Sequence, residues 1–101
     1  MLKIRTIILS DEVPLAEDGF HWRLKGRKGV IYYVKSGKLL PIYAEVPTDT
    51  EQFDIIVFGQ TKHLRFWQFP DEKPISNTES DEIYSKLMKW LGARRWKHEV
   101  I

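Results

Sequence analysis

A chain of 101 residues that is 43% hydrophobic and 30% charged suits one compact domain around one core, residues 1–101, and excludes a disordered tail. Its 16 basic and 14 acidic residues leave a net charge of +2, too small to dictate a partner. With no cysteine there is no disulfide framework, thiolate nucleophile or thiolate metal site, which fits a reducing cytoplasm.

The first residues, Met1 to Leu9, are rich in β-branched Ile and Thr, and Leu2, Ile4 and Ile8 fall on one side, so residues 2 to 9 read as a strand. The apolar run after Arg5 is too short for a signal peptide. The longest apolar stretch, Val30 to Val34, is far below the length of a membrane span. Asp11 to Gly19, with Pro14 inside it, reads as a loop.

The next stretch alternates with period two, placing Phe20, Trp22 and Leu24 on one face and His21, Arg23 and Lys25 on the other. Gly26-Arg27-Lys28-Gly29 reads as a turn. It is too short of the lysine-serine ending of a phosphate loop, and opens onto no helix, to be read as a phosphate cradle. Val30 to Lys35 follows as a strand. Ser36-Gly37 reverses the chain into Lys38 to Val46, because glycine accepts the positive φ of a tight hairpin turn. Pro41 cannot donate to a ladder, so that strand should lie at an edge of the sheet or carry a bulge there.

Pro47 to Gln52 reads as a polar loop, Phe53 to Phe58 as a buried strand, and Gly59 to Lys62 as the turn into a strand from His63 to Phe69. Alternation in that last strand sets Leu64 and Phe66 opposite Trp67 and Phe69. With Leu64 and Phe66 facing the helix, Trp67 and Phe69 form an aromatic patch on the other side, either a partner site or a surface covered by the Asp11–Gly19 loop. A helix runs from Thr78 to Leu91. Ser76 and Glu79 have capping-box spacing, Ile83, Leu87, Trp90 and Leu91 make an apolar stripe, and Gly92 supplies a stop. Arg95 to Ile101 alternates as a last short strand. The whole describes an α+β fold, a mainly antiparallel sheet of six or seven strands with one C-terminal helix packed on one face.

The residues offer little chemistry. His21, His63 and His98 are scattered without ligand spacing, so no metal site is expected. No serine sits in a glycine elbow. The carboxylate pairs Glu17-Asp18 and Asp71-Glu72 lie in loops, where solvated charge is the ordinary state. No catalytic residue and no cofactor is therefore expected, and the chain reads as a non-enzyme. Arg23, Lys25, Arg27, Lys28, Lys35 and Lys38 occupy a stretch free of acids and interleave with Trp22, Tyr32 and Tyr33. That segment, residues 22–38, gives an alternative reading as a nucleic-acid-binding sheet, with aromatics stacking on bases and cations neutralising phosphates.

The hairpin ending at Glu45, the Ile55 to Phe58 strand, the Trp67-Gln68-Phe69-Pro70 pattern, Pro74-Ile75-Ser76 and the terminal helix and strand together resemble small immunity proteins of bacterial polymorphic toxin systems. The likeness spans about residues 30 to 101. It implies a cytoplasmic, non-catalytic protein that binds a cognate toxin stoichiometrically. Against a toxin with a basic cleft, the acidic residues Glu45, Asp49, Glu51, Asp71 and Glu72 are then the expected docking elements, with Trp67 or Phe69 as apolar anchor. An edge-strand dimer through the Pro41 strand is left open.

Overall fold

The computed structural model describes residues 13–26, 28–47 and 53–101. The expected strand at residues 2 to 9 and most of the Pro47–Gln52 loop lie outside them. Three strands form first: β1 (Gly19–Lys25), β2 (Lys28–Lys35) and β3 (Lys38–Glu45). A short strand β4 (Ile55–Val57), a 3-10 turn at Thr61–His63, helix α1 (Asn77–Ala93) and strand β5 (His98–Val100) follow. Among the described residues the sheet has five strands in the order β1-β2-β3-β4-β5.

The first two hairpins are tight. Lys25 pairs with Lys28, so the expected four-residue turn shrinks and Lys28 and Gly29 enter the strand. At the second hairpin Ser36 and Gly37 both take positive φ, 52° and 76°, the left-handed pair of a type I′ turn whose twist matches its strands. Asp18 Oδ1 accepts the Ser36 N–H at 2.9 Å, tying the loop before β1 to this turn.

The sheet is mixed, not antiparallel throughout. β1 to β4 are antiparallel neighbours, whereas β5 runs parallel to β4. A parallel partner needs a long crossover, and α1 lies between β4 and β5 in the chain to supply it.

Helix α1 begins where its cap dictates: Ser76 Oγ accepts the Glu79 N–H at 3.1 Å. Ile83, Leu87 and Leu91 are buried along its stripe. They pack against Ile31 and Tyr33 of β2, Leu40, Ile42 and Ala44 of β3, and Ile55 and Val57 of β4. The helix continues past Gly92 to Ala93, and the residue with positive φ is Arg95, at 59°. The Arg94 guanidinium lies 4.7 Å from the Trp90 ring and 4.3 Å from that of Trp96. Stacking between two indoles favours continuing the turn beyond the glycine.

The opposite face of the sheet has a smaller core. Tyr32, Val34 and Leu39 are buried there with Val13, and Leu15, Val30 and Phe69 pack against them. Part of the segment before β1 therefore lies on this face with Phe69, whereas Trp67, the other half of the expected patch, belongs to the helix-side core.

Residues 63 to 69 do not form the expected strand. Thr61–His63 turns as 3-10 helix, and the rest pairs only through isolated bridges, Leu39 with Phe69 and Phe66 with Pro74. The reason is local hydrogen bonding: Trp67 N–H donates to Lys73 O at 2.9 Å and Ile75 N–H to Arg65 O at 2.7 Å. The segment thus closes a loop on itself. Leu64 and Trp67, three apart, enter the helix-side core together, and Phe66 turns outward.

One feature was invisible in the sequence. All four tryptophans belong to a single succession of rings: Trp67 beside Tyr33 at 6.2 Å, Tyr33 beside Phe20 at 4.8 Å, Phe20 beside Trp90 at 5.6 Å, Trp90 beside Trp96 at 5.9 Å, and Trp96 beside Trp22 at 5.5 Å. Tilted and edge-on contacts of this kind each add to what burial alone supplies.

Candidate partner-binding groove

The register of β3 creates an opening. A two-residue turn is closed by the hydrogen-bonded pair Lys35–Lys38, so the main-chain groups of residues 38, 40, 42 and 44 point to β2 and those of 39, 41 and 43 point away. Leu39 uses both its groups on the 68–69 segment: its N–H donates to Phe69 O at 3.0 Å and its carbonyl accepts from Gln68 N–H at 2.8 Å. Tyr43 O accepts from Phe58 N–H at 2.9 Å, where β4 begins to pair. Pro41 lies between these two attachments. The expectation of an edge strand or a bulge fails on both counts, since β3 lies between β2 and β4 and its ladder is continuous. The missing N–H of Pro41 is accommodated because it faces the gap between the two attachments.

That gap opens into a groove of about 420 Å³, lined in part by Leu40, Pro41, Tyr43, Arg65, Phe66, Trp67 and Glu72. Leu40 and Trp67 belong to the helix-side core and form its apolar floor. Tyr43 and Phe66 are each 57% exposed. Large aromatics left in water beside an apolar floor are unusual in a small domain and mark contact surfaces. Arg65 and Glu72, both exposed, charge the rim, and the exposed His63 ring lies beside them.

The expected site residues divide. Glu45 is exposed at the end of β3, on the same face as Tyr43 two residues earlier. Asp71 and Glu72 are exposed in the loop after Pro70, and Glu72 reaches the groove. Asp49 and Glu51 lie outside the described residues. Trp67 is not an exposed anchor: its side chain is 2% exposed, stacked on Tyr33 with Lys38 Nζ 4.8 Å above its ring. Phe69 is half-buried against Leu39 and its neighbours. The correction at Trp67 follows from the 63–69 segment not being a strand, which moves Phe66 to the surface, while Phe69 stays on the face opposite the helix as expected.

The outward direction of Tyr43 is legible in the sequence, since Leu40, Ile42 and Ala44 alternate with it as inward residues. Phe66, Arg65 and His63 carried no usable signal, because their directions depend on the loop that closes between Arg65 and Ile75.

Among the described residues of the basic segment 22–38, the aromatics do not gather as a stacking platform. Tyr32 and Tyr33 are buried on opposite faces of β2, and Trp22 packs against the helix-side core. Strand alternation sends Arg23 and Lys28 to one face and Lys35 and Lys38 to the other. Among the described residues no cluster of three or more His, Asp or Glu side chains gathers as metal ligands do, and no helix is long and apolar enough to cross a membrane. Comparison of the chain with protein-family models, with curated proteins and with solved structures finds no match.

Proposed function

We propose that this chain is a non-catalytic binding protein, an immunity protein that neutralises a cognate toxin in the cytoplasm by occupying it one to one. The observation that carries this reading is the pairing of two exposed aromatics, Tyr43 and Phe66, on one groove with a buried apolar floor. Aromatic anchors over a desolvated pocket are where binding energy concentrates. Glu72 lines that groove opposite a basic partner surface, and the exposed Glu45 and Asp71 lie on the adjoining end of β3 and loop, an arrangement that speeds encounter with such a surface. The resemblance to immunity proteins supplies the partner class, and the site is recentred from Trp67 and Phe69 onto Phe66 and Tyr43.

The test is a titration of the toxin domain encoded beside this chain. Toxin activity should fall linearly and reach zero at one equivalent, with a 1:1 complex in solution. Abolition by a small fraction of an equivalent indicates turnover and overturns the reading, as does the absence of any complex.

A further inference from the structure

Two main-chain groups in the groove point outward without a partner among the described residues: the Pro41 carbonyl and the Tyr43 N–H. The Tyr43 carbonyl is taken by Phe58, and both groups of Leu39 are taken by Gln68 and Phe69. What remains is an acceptor on residue 41 and a donor on residue 43, on either side of Ile42. In a parallel ladder a single residue bonds in this way, donating its N–H to residue i−1 and accepting from residue i+1.

We infer that the partner inserts a loop tip at this point. One residue of the tip pairs with Ile42 in the parallel sense, its N–H on the Pro41 carbonyl and its C=O on the Tyr43 N–H. Paired residues of neighbouring strands share a face, so the side chain of that residue follows Ile42 toward the helix side. There Leu40 and Trp67 form the apolar floor. The inserted residue is therefore apolar. Its flanks lie along the face that carries Tyr43, where Glu45 pairs with Lys28 and the groove rim holds both Arg65 and Glu72, which favours a loop with charges of both signs beside the apolar tip.

The length of the gap selects a loop tip over a strand. Phe69 closes the edge at Leu39 and Phe58 closes it at Tyr43, and the span from residue 39 to 43 is roughly 13 Å at about 3.3 Å per residue. A strand from a second copy of this chain has no ladder to extend. This inference rests on the toxin-binding reading and specifies how the contact is made.

The experiment replaces the Ile42–Tyr43 amide by an ester in the full-length chain, assembled by peptide ligation, and titrates the product against the toxin domain. The ester removes the N–H that is unpartnered in the free protein and makes the Ile42 carbonyl, which faces Ile31 of β2, a weaker acceptor. Its thermal midpoint should fall by a few degrees at most, from the weakened Ile42 acceptor, and its affinity for the toxin domain should fall about tenfold. In the all-amide complex the Tyr43 amide should exchange with deuterium at least tenfold more slowly than in the free chain. A complex that forms with undiminished affinity and unchanged Tyr43 exchange overturns the loop insertion while leaving toxin binding intact. No complex with the all-amide chain overturns both. An ester that instead disrupts a homodimer identifies a second copy as occupant and overturns the proposal.

Discussion

The indole of Trp22 lies over Gly29, in the space that a β-carbon on residue 29 would fill. The two residues are diagonal neighbours on the helix-side face, since Trp22 pairs with Ile31 and Gly29 with Leu24. Gly29→Ala forces the ring aside and with it the Trp22–Trp96 contact. The expected cost is about 1–3 kcal/mol, the usual penalty of overpacking. Urea denaturation should show a lower midpoint with an unchanged slope. An unchanged midpoint means that the indole does not occupy this position.

Phe66 and Trp67 are adjacent in sequence and opposite in fate. Trp67→Ala removes a buried ring and should cost about 3–5 kcal/mol. Phe66→Ala removes an exposed one and should leave stability within about 0.5 kcal/mol. Equal losses from the two substitutions, measured by the same denaturation series, contradict the outward turn of Phe66.

The contrast between these neighbours shows where the sequence was informative. The β2–β3 hairpin followed from alternation and from Ser36-Gly37, and α1 followed from its cap and its stripe, because each signal acts within a few residues. The 63–75 segment did not, because its β-rich composition is satisfied by the Trp67–Lys73 and Arg65–Ile75 hydrogen bonds and not by a neighbouring strand. The parallel direction of β5 escaped for a related reason. Hairpin-length turns determine pairing only between consecutive strands, and α1 intervenes here. Tyr43 could be placed on the surface from the Lys38–Glu45 pattern alone, whereas the aromatic opposite it could be placed only once the loop was known.

Ser76 is the single side chain that caps α1, through the Glu79 N–H. Ser76→Ala should lower stability by about 1 kcal/mol, and Ser76→Asp should restore most of it. Thermal unfolding followed by circular dichroism distinguishes these. A Ser76→Ala variant as stable as the parent shows that the cap contributes nothing.

On the toxin-binding proposal, the carboxylates near the groove act at a distance. Replacing Glu45, Asp71 and Glu72 together with Ala should slow association with the toxin domain at low salt by about tenfold or more while leaving dissociation nearly unchanged. Stopped-flow measurements at two ionic strengths check this, because the difference should narrow as salt screens the charges. An effect confined to dissociation places these residues inside the contact, not around it.

The central claim is that Tyr43 and Phe66 bind a macromolecular partner across one groove. Calorimetric titration of the toxin domain with the Tyr43→Ala/Phe66→Ala double variant, folded as judged by its near-ultraviolet spectrum, is the most direct measurement. The account predicts affinity weakened about 100-fold or more, since two anchors of this kind together carry at least about 3 kcal/mol. Affinity equal to that of the parent chain, with the variant fully folded, contradicts it.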